Sequence, residues 1–396
     1  MKTILKTGAA VLACSTALLS TVNASITIDH LWSVAPNDSR PDMGYIAWSN
    51  TGVAATDSLY NHRQRGMAYN SVTNQLYLAS RGVNGVDEVI VINATTGQRV
   101  GNLNISGVAG GNFSLNKIAV SADGQVFLAN LTTDAAGTNP YKLYRLDSTV
   151  NGGVAPTTLF SGNPFGTTAF PGVHAQERRF GDTLDIRGTG NNIQILTGGR
   201  ADSTAVIFTT NDGSTFSPNP LVVADGQASG HFYNGISFGE GDTFWGASGV
   251  PQLPLRQFQF DIAAGTGAPL QTVGSDIVAA RVGPVGYIPD FNLMVGVGVG
   301  GEGAPQDLFV YDMNGWVRIA GADGDGAGGV FFPGQNNNGN GTGDVAWNSE
   351  DNIFYVLSTN NGIMAFHVIP EPSTYALIFG LGILGFLGVR RRFRRS

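Results

Sequence analysis

Gly66-Met-Ala-Tyr-Asn70, Gln75-Leu-Tyr-Leu-Ala-Ser80, Glu88-Val-Ile-Val-Ile-Asn93 and Arg99-Val-Gly-Asn-Leu103 follow one another as four short β-type runs. Each is rich in branched or aromatic side chains and is bounded by Asn, Gly or Thr-Gly, the residues of tight turns. The pattern returns as Lys117-Ile-Ala-Val-Ser-Ala-Asp-Gly124, Gln125-Val-Phe-Leu-Ala-Asn130 and Lys142-Leu-Tyr-Arg-Leu-Asp147. It recurs around Leu184, Ile236, Val285 and Val345; with Met67 and Ile118 these equivalent positions lie 51, 66, 52, 49 and 60 residues apart. Repeats of about 50 residues with four strands each are the signature of β-propeller blades. No helix-period segment appears between Ser25 and Ile369.

The sixth repeat holds only three runs, Gly343 to Asn348, Ile353 to Ser358 and Gly362 to Ile369. Its fourth strand is expected from Ile26 to Val34, because pairing the first strand with the last blade removes two exposed sheet edges. The expected fold is therefore all-β, a six-bladed β-propeller closed by the N-terminal strand. The longer intervals leave room for five or seven blades, and a two-domain β-sandwich is the competing architecture.

Charged residues are only 13% of the chain, with 22 basic against 29 acidic residues and a net charge of −7. Lys2, Lys6 and the five arginines near the C-terminus make up 7 of the 22 basic residues, so the body between them is more acidic still. Such a surface repels nucleic acid, and no nucleic-acid partner is expected. Residues 1–24 read as a signal peptide for signal peptidase, with a basic start, an apolar centre from Gly8 to Leu19 and Val22-Asn23-Ala24 before Ser25. The one cysteine, Cys14, lies inside it, so residues 25–369, the propeller domain, contain no thiol for a disulfide, metal site or nucleophile.

The C-terminus, residues 370–396, carries Pro370-Glu371-Pro372, then an apolar run from Tyr375 to Val389, then Arg390, Arg391, Arg392, Arg394 and Arg395. The prolines keep the segment extended. The 15 apolar residues form about 22 Å of helix, enough for a C-terminal transmembrane helix once flanking residues snorkel. The arginines act as the membrane stop on the cytoplasmic side. This order of elements resembles the PEP-CTERM sorting signal. The resemblance implies export to the cell envelope, cell surface or extracellular matrix, processing by exosortase, and an association with exopolysaccharide. The body, through Arg65-Gly-Met-Ala-Tyr-Asn70, Gly124-Gln-Val-Phe-Leu-Ala-Asn130 and Arg179-Phe-Gly-Asp-Thr-Leu-Asp-Ile-Arg-Gly188, resembles an uncharacterised family of bacterial secreted propeller-type domains, which carries no activity over.

In a propeller, the loops leading into the innermost strands gather at one mouth of the central channel. Three of them hold the candidate binding residues: His62, Arg63 and Arg65; His174, Glu177, Arg178 and Arg179; His231 and Tyr233. Converging Arg and His beside aromatic rings suit a carboxylate, an acidic sugar or a peptide terminus. Alternatively these residues pair with Glu177, Asp182 and Asp185 and tie blades together. Asp323-Gly-Asp325 resembles the start of a calcium loop but departs from it at Ala327 and Gly334, so no metal or cofactor is assigned. No catalytic motif is present: there is no nucleophile elbow, no His-Glu-x-x-His and no phosphate loop. The body is expected to bind or to serve as structure; the alternative is an extracellular hydrolase or lyase acting on polysaccharide.

Overall fold

The computed structural model describes residues 26–46, 62–81, 86–166, 179–200, 204–223, 230–249, 252–301, 304–321 and 329–370. The expected signal peptide and the expected C-terminal transmembrane helix lie outside the described residues. Residues His30–His367 form one compact unit; the flanking strand ends, Ile26–Asp29 and Val368–Pro370, group with the terminal segments. Among the described residues no helix is long and apolar enough to cross a membrane.

The described residues are all-β apart from two short 3-10 turns, Gly190–Asn192 and Pro289–Phe291. The chain begins with β1 (Ile26–Val34). The first repeat is β2 (Gln64–Asn70), β3 (Gln75–Ser80), β4 (Glu88–Asn93) and β5 (Arg99–Leu103). The second is β6 (Phe113–Val120), β7 (Val126–Leu131), β8 (Tyr141–Leu146) and β9 (Thr157–Gly162). The third is β10 (Thr183–Arg187), β11 (Gln194–Gly198), β12 (Thr204–Thr209) and β13 (Ser217–Val223). The fourth is β14 (Gly235–Phe238), β15 (Thr243–Gly249), β16 (Gln252–Asp261) and β17 (Thr266–Val273). The fifth is β18 (Val282–Ile288), β19 (Leu293–Gly298), β20 (Asp307–Asp312) and β21 (Val317–Ala320), with a two-residue β22 (Val330–Phe331) also pairing β20. The last is β23 (Gly343–Asn348), β24 (Ile353–Ser358) and β25 (Gly362–Pro370).

Each repeat is an antiparallel meander, and its first strand packs against the first strands of its two neighbours. These contacts run β2, β6, β10, β14, β18, β23 and back to β2, a closed ring around an axis. The arrangement is propeller-like. The last sheet has the order β1-β25-β24-β23, so the N-terminal strand supplies its fourth member. One feature departs from independent blades: β13 and β17, the outermost strands of the third and fourth repeats, pair in parallel at Val222–Thr266 and Val223–Gly267 and join the two into one eight-stranded sheet.

The apolar runs are continuous rather than alternating because each middle strand is buried on both faces. In β3, Leu76 and Leu78 pack toward the last sheet, among Tyr355, Leu357 and Ile363. Tyr77 and Ala79 of the same strand pack the other way, among Leu115, Ile118 and Leu128 of the second sheet. Strand β4 does the same, with Ile90 and Ile92 on one side and Val89 and Val91 on the other. Side chains of a strand alternate between faces, so a sheet sandwiched between two others needs both sets apolar. Each fully buried Leu, Ile or Val contributes roughly 1.5–3 kcal/mol.

Close approach of the inner strands demands glycine at particular places. A Cβ on Gly66 would lie 2.9 Å from both the Ile118 amide nitrogen and the Lys117 Cα, backbone atoms that cannot swing aside. Gly66→Ala should therefore lower unfolding free energy by about 1–3 kcal/mol in urea titration; an unchanged midpoint would show that β2 and β6 have room to spread.

Candidate functional site

The inner strands start at one mouth of the channel and end at the other. Alternate residues face the axis. By register, Gly66, Lys117, Thr183, Gly235, Pro284 and Asp344 are equivalent positions of the six inner strands, and Ala68, Ala119, Asp185, Ser237, Gly286 and Ala346 are the equivalent set two residues on. Most are small, as a narrow axis requires. The two long charged side chains of the first set meet. Lys117 Nζ donates to the Gly343 carbonyl at 2.6 Å and lies 3.4 Å from Asp344 Oδ2. Asp344 also accepts the Met67 amide at 3.2 Å and the Val345 amide at 3.1 Å. Burial pushes the Lys117 ammonium down and the Asp344 carboxyl up, and their mutual attraction opposes both shifts.

Above this plug lies the mouth from which the inner strands start. Arg65 precedes Gly66, is 3% exposed and stacks over the Phe113 ring at 5.5 Å. Arg81, the residue after β3, sits on the same ring at 3.7 Å. Its guanidinium also donates to the His62 carbonyl, while Arg63 Nη1 donates to the Arg81 carbonyl at 3.3 Å. Arg65 Nε is buried without a hydrogen-bond partner. Arg179 forms a two-pronged pair with Asp182, Nε to Oδ2 at 2.9 Å and Nη2 to Oδ1 at 2.6 Å. Arg179 and Arg200 lie over Tyr233 at 5.2 and 4.8 Å.

The electrostatics are those of crowded cations. Burial first, and then Arg65 and Arg63, push Arg81 down to about 9. Burial, followed by Arg65 and Arg81, pushes His62 down to about 4, so its imidazole is neutral at ordinary pH. The carboxylates that offset Arg65 and Arg81 among the described residues are Asp182 and Asp87. Asp87 also accepts the Ser114 hydroxyl at 2.6 Å.

The structure thus brings together His62, Arg63, Arg65, Arg179 and Tyr233 from the sequence-derived set. His231 is 2% exposed and packs against Phe258 at 6.2 Å, beneath the surface. His174, Glu177 and Arg178 lie outside the described residues, as do Asp323, Asp325, Glu371, Pro372 and Arg390, Arg391, Arg392, Arg394 and Arg395; Pro370 is the last residue of β25. Arg81 and Arg200 were missed by sequence reasoning. Both follow the second strand of a repeat, which returns to the mouth where the first strand began, so register with Gly66 and Thr183 was the available signal.

Asp185 differs from the expected arginine partner. Its carboxylate ties neighbouring repeats, accepting the Phe238 amide at 2.6 Å and the Ile186 amide at 2.8 Å. Toward the opposite mouth lies a cavity of about 340 Å³, lined by residues of all six inner strands, Asp185 and Asp344 included. Desolvation first, with the Asp344 charge adding to it, pushes Asp185 up to about 6. Among the described residues no three His, Cys, Asp or Glu side chains converge as a metal site.

Comparison with known proteins fits the tail most directly. Residues 368–392 match the PEP-CTERM protein-sorting motif. A chain bearing this motif is exported, sorted to the cell surface and processed by exosortase. No curated protein matches the sequence. Among solved structures, the chain is similar to the PQQ-bound aldose sugar dehydrogenase of Streptomyces coelicolor, at 14% identity and a TM-score of 0.48, over 88% of this chain and 99% of that one. It is also similar to a gluconolactonase of Xanthomonas campestris, at 11% identity and a TM-score of 0.45, over 86% and 99%. A calcium-binding regucalcin of Agrobacterium tumefaciens aligns at 13% identity and a TM-score of 0.44, over 79% and 92%.

The raised carboxyl of Asp185 has a definite sign. A group whose pKa is higher in the folded than in the unfolded chain stabilises the fold below its unfolded pKa, and that contribution fades as pH rises through the folded value. From its ordinary 3.8 to about 6, the loss amounts to about 3 kcal/mol. Comparing unfolding free energies at about pH 4 and about pH 7, Asp185→Asn should gain on the unsubstituted protein by that order; a pH-independent difference would mean the carboxyl is not desolvated.

Proposed function

We propose that the chain is a surface or matrix protein whose six-bladed propeller, residues 25–369, binds an anionic ligand at its arginine-lined mouth. In this reading residues 1–24 are a signal peptide. Residues 370–396 hold the sorting motif, a membrane-spanning helix and a basic stop that keep the body outside the cytoplasm until exosortase acts. The tail match supports the destination. The observation that carries the binding role is the pair of guanidiniums, Arg65 and Arg81, on one Phe113 ring with Arg63 beside them. In a chain of net charge −7, gathering like charges at one buried point costs free energy that an incoming carboxylate offsets with charge-assisted hydrogen bonds. A carboxylated polysaccharide in the extracellular matrix suits both the site and the destination.

Hydrolysis is the weaker reading. The two buried channel carboxylates, Asp185 and Asp344, both spend their oxygens on backbone amides, which leaves neither placed as a general acid.

Hexagalacturonate serves as a probe. Arg63→Ala should weaken its binding by about 10-fold or more, as loss of one charge-assisted bond does, with little change in melting temperature. Binding should fall steeply with salt. It should also stay level between about pH 5 and about pH 8, because His62 titrates below that window. A large fall in melting temperature with binding intact would assign these arginines to the scaffold.

A further inference from the structure

The opposite mouth carries a second, chemically different surface. Its central cavity of about 340 Å³ is rimmed by Tyr69, Phe238, Glu240, Tyr287 and Trp347. Glu240 and Tyr287 also line a neighbouring cavity of about 270 Å³, which runs outward between the fourth and fifth repeats. That groove is walled by Trp245, Trp316, Gln257, Gln271 and Asn292. The two are therefore consecutive segments of one trough.

Its chemistry is aromatic faces alternating with amides. Trp316 stands edge-on to Trp245 at 5.7 Å and is itself held at φ 54, a left-handed conformation that is costly for a bulky residue and is kept only where the surroundings impose it. Tyr287 donates its hydroxyl toward Glu240 at 3.1 Å and Asn292 at 3.3 Å, which fixes the ring at the junction. The charges are largely neutralised. Asp344 faces Lys117, and Asp185 accepts two amides. Arg187 stacks on Phe238 and bonds Gln194 and the Gly241 carbonyl. Among the described residues lining the outer groove, Glu240 is the one carboxylate and no Lys, Arg or His is present.

We propose that this trough binds an uncharged polysaccharide chain, with Trp316, Tyr287 and Trp347 as stacking platforms and Gln257, Gln271 and Asn292 as hydroxyl partners. Sugar rings present flat C–H faces edged with hydroxyls. Rings supplying apolar area with a polar tip, beside amides that both donate and accept, match that pattern. Two adjoining cavities of about 340 and about 270 Å³ suit a chain rather than a single sugar, and Glu240, which lines both, disfavours a polyanion. The site is independent of the arginine mouth, so the protein would hold one glycan at each end of its channel.

The test is isothermal titration and tryptophan fluorescence of the full chain with cellohexaose and maltohexaose, and with hexagalacturonate for contrast. At least one uncharged hexaose should bind in the millimolar range or tighter. Trp316→Ala should weaken it by about 10-fold or more, and Arg63→Ala should leave it unchanged. Gln271→Ala, at an exposed position, should weaken binding several-fold and provides the readout if Trp316→Ala fails to fold. The proposal is overturned if neither uncharged chain binds, if binding survives loss of both Trp316 and Gln271 side chains, or if hexagalacturonate alone binds.

Discussion

One buried carboxylate holds the ring closed. Asp344 belongs to β23, accepts an amide from Met67 in β2 and faces the ammonium of Lys117 in β6, so a single side chain links the last repeat to the first and second. The axis is too narrow for six large residues, and glycine, proline and threonine occupy most of that ring. The Lys117–Asp344 ion pair sits among them. Taking two charges out of water costs several kcal/mol each, which their attraction and the added hydrogen bonds offset only when the geometry is fixed. Closure by β1 on β25 supplies that fixity from outside.

The plug divides the channel into two surfaces with different chemistry. On one side arginines crowd against Phe113 and Tyr233, with Asp182 as their bonded carboxylate. On the other lie tyrosines, tryptophans and amides. Hairpin connectivity produces this separation. Residues before a first strand and after a second strand share one mouth; residues after a first strand and before a second share the other. Arg65 and Arg81 meet for the first reason, while Phe238, Glu240 and Tyr287 gather for the second.

Much of the architecture was legible because it depends on local patterning. The runs at Gln75, Glu88, Val126 and Ile353 each hold at least four consecutive apolar residues, and their turns carry Asn or Gly. The vacant place in the last repeat pointed to Ile26–Val34 by edge pairing alone, as the sheet order β1-β25-β24-β23 bears out. The site was only half legible. Arg65 and Arg179 stood out by rarity, whereas Arg81 and Arg200 became members through where their strands end. Asp185 looked like an arginine partner because Arg179 is near in sequence. Strand alternation instead turns it toward the neighbouring repeat, where it accepts the Phe238 amide.

The sequence by itself determined the tail, the repeat length, the strands and the acidic balance of the body. Each of these follows from hydrophobic period, turn chemistry or charge within a few tens of residues. Tertiary structure alone decided the Lys117–Asp344 plug, 227 residues apart, the parallel join of β13 to β17, and the trough shared by Glu240, Tyr287 and Trp316. Those depend on which residues six separate strands bring to one axis. No local period encodes that, because the radius at which the ring closes is set by the packing of all the sheets together.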